Sequence, residues 1–225
     1  MQYNSYKDFC IYGDSCQTIT MLALKPGFQM LMSLYDPTPP PDYPYLRSIS
    51  SYSAMVQLYC RAGQLPTASR LLSCNMVLSN TCQLGCDTLE DKCHIFVECP
   101  YFSQFQDDAL TDIVAYTETK CTKMDTGICD EAIGRLLFAA KSLLTNVSSV
   151  WPLHCSTYYL GWIPDIATIV GPFSNIHPPM TIPKYNLCQR RFIHHIASEW
   201  HLRAIRLAGR IWGEVQRKMA ISSGS

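Results

Sequence analysis

The stretch Thr81-Cys-Gln-Leu-Gly-Cys-Asp-Thr-Leu-Glu-Asp-Lys-Cys-His-Ile-Phe-Val-Glu-Cys-Pro-Tyr-Phe102 decides how this chain is read. It sets Cys82, Cys86, His94 and Cys99 in the order Cys-x3-Cys-x7-His-x4-Cys. Zn²⁺ takes four nitrogen or sulfur ligands in a tetrahedron, and two close pairs joined by a short loop supply that geometry. The first pair is expected on a tight knuckle, with Gly85 letting backbone amides turn toward the thiolates. The second is expected on a short helical segment from about Asp91 to Cys99. A three-residue spacer in the first pair lies within the tolerated range. One structural zinc is therefore the expected cofactor. The competing reading is four buried, reduced side chains in a cysteine-rich chain, because free cysteine packs as a small hydrophobe. Cys93 sits beside His94 and leaves open whether it can stand in for a neighbouring ligand.

Working outward, the flanks read as helices. Tyr52 to Cys60 is expected to form one that ends at Gly63, and another begins near Pro66, where proline suits a first turn. Leu110, Ile113 and Val114 mark a helix from about Ser103 to Thr117. Ile133, Leu136, Leu137, Ala140 and Leu144 mark a firmer one over Asp130 to Thr145, with Asp130, Glu131 and Lys141 placed to suit its dipole. Few stretches alternate as strands do. The expected fold is mainly α: a small zinc knuckle or hairpin between short helices, and a long C-terminal amphipathic basic helix. The chain divides into an N-terminal segment with a Pro-rich linker (1–45), a helix-turn-helix plus knuckle (46–105), a helical pair (106–150), a Pro-rich connector (151–188) and the basic helix (189–219).

His94-Ile-Phe-Val-Glu-Cys99-Pro100-Tyr-Phe102 resembles the His-x4-Cys-Pro-x-Phe signature of the zinc-binding region of non-LTR retrotransposon reverse transcriptases. Upstream, Val56 to Leu71 looks like that family's helix, turn and second helix, with Ala62 and Gln64 where the family usually has Thr and His. The resemblance spans about residues 50 to 105. More loosely, Trp151-Pro, Tyr158-Tyr-Leu-Gly and the Arg-rich closing helix look like the tail that follows this module in fungal elements. It implies a non-catalytic module at the C-terminal end of a polyprotein, with Cys82, Cys86, His94 and Cys99 as structural ligands. It also implies RNA or DNA as partner, beside a reverse transcriptase core.

The 18 basic and 18 acidic residues cancel, but unevenly. Gly85 to Glu131 holds eleven acids against three lysines, a net of −8, while Lys184 to Met219 holds eight Lys/Arg against two glutamates, a net of +6. From Gln189 to Met219, Ile193, Ile196, Ala197, Trp200, Ala204, Leu207, Ala208, Ile211 and Val215 fall on one helical stripe. His195, Arg203, Arg206, Arg210 and Arg217 fall within a sector of about 80° on another face. Such an arginine row suits a nucleic-acid backbone, which it can bind bidentately. A solvated face, or pairing with the protein's own acidic middle, accounts for it as well. Phe96, Tyr101 and Phe102 are expected to pack the knuckle onto the helices, or, if exposed, to stack bases.

Three catalytic spellings carry little weight. Phe105-Gln-Asp107-Asp108 has the order of a polymerase palm but heads a helix, where acids suit the dipole. Ile11-Tyr-Gly-Asp-Ser15 with Asp91-x-x-His94 has the order of an esterase but lacks its sheet and oxyanion block. Proximity of one of twelve cysteines to a histidine is expected by chance. No polymerase, endonuclease or ribonuclease H residues are legible, so no enzymatic activity and no small-molecule substrate are expected. The apolar stretch from Trp151 to Phe173 is cut by Pro152, Pro164, Asp165 and Gly171, which excludes it as a membrane span. The polar start and scattered cysteines point to the nucleus or cytoplasm rather than secretion. The expected function is a zinc module that contacts nucleic-acid backbone. The rival is a helical interaction module or inert retroelement relic that binds none.

Overall fold

The computed structural model describes residues 44–123, 128–145, 156–171 and 186–223. Most of the Pro-rich linker, the sequence around Ser15, and parts of the connector lie outside the described residues. The described residues are mostly helical, and the only extended pairing among them is an isolated antiparallel bridge between Thr81 and Leu89.

The helices are α1 (Pro44–Arg47), α2 (Ser51–Ala62), α3 (Ala68–Ser73), α4 (Ser103–Lys123), α5 (Asp130–Lys141), α6 (Ile166–Val170) and α7 (Leu187–Ser223). Single turns at Pro100–Phe102 and Tyr158–Leu160 are 3₁₀-helical, and His94–Glu98 forms a π-helical turn. Local chemistry sets several ends. The Ser50 hydroxyl accepts the Ser53 amide to start α2, and Thr67 accepts the Arg70 amide to start α3. Asp165 accepts the Ala167 amide to start α6.

Helix α7 is the axis of the molecule. The expected stripe is buried at Ile196, Trp200, Ala204, Leu207, Ala208, Ile211 and Val215. It meets Ile113 of α4, Leu136 and Ala140 of α5, Tyr158 and Leu160, and Val170 of α6 in one core. The buried arc is wider than one stripe, however. Leu202 and Ile205 form a second cluster with Tyr45 and Ala54 on the other side of α7. Partners flank the helix on both sides, so over residues 196–215 it is buried well beyond one stripe, while Arg206 and Arg210 stay exposed. The α2–α7 crossing is close: a Cβ at Gly209 would lie 2.1 Å from Ser53 Oγ and 2.8 Å from Ser53 Cα, so only glycine fits.

Two further differences from the sequence reading concern length. Helix α4 continues past Thr117 to Lys123, because Thr117 and Cys121 carry its buried face onward. Helix α5 stops at Lys141, where the Ser142 hydroxyl turns back onto the Phe138 carbonyl. The connector contributes core at Tyr158, Tyr159, Leu160, Ile166 and Val170. A buried bond joins it to α7, where Tyr158 donates to the Trp200 carbonyl at 2.6 Å, and Trp200 Nε1 in turn donates to Thr117 Oγ1 of α4 at 2.9 Å.

Candidate metal centre

The structure brings Cys82, Cys86, His94 and Cys99 together, with one ligand atom from each within 4.8 Å of all the others. Cys82, His94 and Cys99 are buried and Cys86 is half-buried. Cys86 Sγ and Cys99 Sγ are 3.7 Å apart. Two sulfurs bound at about 2.3 Å to a tetrahedral zinc stand about 3.8 Å apart, so this edge needs no rearrangement to accept such an ion.

The first pair sits on a turn whose backbone faces inward. The Gly85 amide bonds the Cys82 carbonyl at 3.2 Å, and Gly85 takes φ of 92°, a left-handed conformation that disfavours side chains. The amides of Leu84 and Cys86 point at Cys82 Sγ, and that of Tyr101 at Cys99 Sγ. Amides aimed at a sulfur favour its charged form. Burial works the other way and wins, raising the Cys82 thiol and pushing Cys99 up to about 12, with the neighbouring cysteines adding to it. A bound cation reverses that balance, since a coordinating thiol is deprotonated outright.

The second pair is carried by the π-helical turn. On an α-helix, residues five apart point about 140° apart. Here the Cys99 amide bonds the His94 carbonyl at 2.6 Å, and the wider turn swings both side chains toward the first pair. Asp91 begins the segment: its Oδ1 accepts the His94 amide at 2.7 Å. The Asp91-x-x-His94 spelling is thus a helix cap. The Thr88 hydroxyl lies 3.2 Å from His94 Nδ1 and 3.4 Å from Nε2, placed to orient the ring. Cys93 lies outside the four-atom group, with its sulfur 3.9 Å from Glu98 Oε1.

The knuckle packs through its aromatics. Phe96 and Phe102 are fully buried, and Phe96 stacks on Tyr159 at 5.5 Å between ring centroids. Tyr101 stays exposed, with Lys218 Nζ 5.4 Å from its ring centroid. A buried carboxylate that spacing did not single out lies beneath the knuckle: Glu90 is 2% exposed and accepts the Gln83 and Ala68 amides. One glutamate in an acidic run has no partner at fixed spacing to mark it.

The arginine row divides. Arg203 lies inside, stacked 4.0 Å above the Tyr116 ring, with Glu199 at 3.0 Å and its Nε 2.8 Å from Asp112, close but not aligned as a hydrogen bond. Arg210 is half-exposed, 4.8 Å from the Phe105 ring and 3.4 Å from Asp108. Arg217 pairs with Glu214 and Arg206 is exposed. His195 bonds the Tyr116 hydroxyl. Asp108 thus serves α4 and α7, and Asp107 is exposed on α4. No helix among the described residues is long and apolar enough to cross a membrane. No protein-family model, no curated protein and no solved structure matches this chain.

Proposed function

We propose that the chain is a non-catalytic, zinc-stabilised helical module, of the kind that ends a non-LTR retrotransposon reverse transcriptase polyprotein. The observation that carries the reading is the gathering of three sulfurs and one imidazole, with amides aimed at two of the sulfurs. Soft thiolates with imidazole suit Zn²⁺, and four protein ligands leave no open position for chemistry. When bound, zinc supplies a cross-link between the Cys82 turn and the His94–Cys99 turn. The chain's own residues do the rest: Phe96 and Phe102 anchor the knuckle to the core, and Asp91 and Thr88 orient His94.

Contact with RNA or DNA backbone falls to Arg206, Arg210 and Arg217, with Lys218 and exposed Tyr101 beside them. Arg203 is committed to holding α4 against α7. Salt titration of binding to generic single- and double-stranded nucleic acid is the test, because phosphate contacts release counterions and weaken with salt. Binding that weakens with salt, and is lost in Arg206→Ala/Arg210→Ala/Arg217→Ala, supports the contact. No binding at low salt, or binding indifferent to that variant, rejects it.

A second reading, a helical protein-interaction module, is favoured by a different observation. Tyr52, Met55 and Tyr59 recur along one face of α2 and stay 43%, 51% and 51% exposed. Under that reading the basic residues of α7 serve internal pairing with α4, and nucleic acid does not bind.

A further inference from the structure

Glu90 makes four hydrogen bonds that sort into two pairs. Toward the knuckle, Oε2 accepts the Gln83 amide at 2.8 Å, and its own amide donates to the Asn80 carbonyl at 2.7 Å. Toward α3, Oε1 accepts the Ala68 amide at 2.8 Å, and its carbonyl accepts the Ser69 amide at 3.0 Å. Gln83 directly follows Cys82, so the carboxylate grips the turn whose next amides point at the Cys82 sulfur. Ala68 and Ser69 are the first residues of α3. Among the described residues, Glu90 is the one side chain that bonds both the start of that helix and the metal turn.

A buried carboxylate is costly to hold unless its lone pairs are met, and here backbone donors meet both oxygens. Outer partners that fix metal ligands commonly cost about 10–100-fold in affinity when lost, and Glu90 acts on Cys82 through the adjoining Gln83 amide. We propose that Glu90 is a positioning residue of the metal site, tuning its affinity and transmitting metal occupancy to the order of α3. The inference rests on the metal-binding reading above.

The test compares wild type, Glu90→Gln and Glu90→Ala in a Zn²⁺ competition titration against a chromophoric chelator, with Co²⁺ absorption as a reporter of ligand geometry. Glutamine keeps the shape but places a donor against a donor, so Glu90→Gln is expected to bind about 10-fold more weakly and Glu90→Ala about 100-fold. Far-ultraviolet circular dichroism of the metal-free proteins should stay alike, whereas a merely structural carboxylate would lower metal-free and metal-loaded stability equally. Amide exchange in wild type gives a reading free of substitution: Ala68 and Ser69 should slow on metal loading together with Gln83. Variants that bind within about twofold of wild type, or an α3 start indifferent to metal, overturn the role of Glu90 alone. Wild-type protein that takes up neither metal overturns the site itself and this inference with it.

Discussion

The Cys99 amide reaches the His94 carbonyl across 2.6 Å, and this one bond closes the wide turn that lets two ligands five residues apart face the same point. The turn is held at its start by Asp91, whose carboxylate caps the His94 amide at 2.7 Å. Asp91→Ala should lower metal affinity about fivefold, matching the roughly 1 kcal/mol that a lost cap costs, while Asp91→Asn keeps most of it. Chelator competition measures both, and an unchanged affinity in the alanine variant would show that the cap does not shape the site.

Gly85 tests the other pair. A Cβ there meets nothing within 4 Å, so any cost of Gly85→Ala comes from φ of 92° alone. Holding an alanine in that region costs about 1–2 kcal/mol, so metal affinity should drop between about fivefold and 30-fold. The helical core, which does not include Gly85, should keep its circular dichroism. Wild-type affinity in this variant would mean that the turn is not needed in this conformation.

Arg203 and Arg206 lie one turn apart on α7 and should behave oppositely. Arg203→Ala removes the ion pairs to Asp112 and Glu199 and uncovers Tyr116, and should cost about 2 kcal/mol in chemical denaturation. Arg206→Ala changes an exposed side chain and should stay within about 0.5 kcal/mol. Similar losses for the two would contradict the division of the arginine row.

His201 supplies a pH dependence. It is enclosed by Gln57, whose Oε1 is 2.9 Å from Nε2, and by the Tyr45 ring. Burial, aided by the Arg61 charge, lowers its pKa to about 3. The unfolded chain takes a proton near pH 6.5, whereas the fold resists it down to about pH 3, so stability falls as pH drops through that window. The slope approaches about 1.4 kcal/mol per unit. Between pH 7 and 5, wild type should lose about 1–2 kcal/mol more than His201→Gln. The comparison removes losses from other groups, which both proteins share. Equal losses would mean that His201 is protonated in the folded protein.

The metal cluster was legible because ligand identity and spacing are local, and the helical class because apolar residues recur with a helical period. What escaped depends on distance along the chain. Pairing of the arginine row with the acidic middle is among the readings, but spacing does not mark Arg203 as the member that meets Asp112, 91 residues earlier. Leu202 and Ile205 fall off the main stripe, and only the packing of α1 and α2 on the far side of α7 explains their burial. The π-helical turn escaped for another reason: its extra residue leaves no mark in composition, only in where His94 and Cys99 must meet.

Metal content, measured by mass spectrometry on protein purified without a metal-affinity tag, tests the central claim most directly, with a Cys82→Ser/Cys86→Ser variant beside it. One zinc per chain, lost in the variant, is the expected result. Folded wild-type protein without zinc, or equal zinc in the variant, would contradict the account.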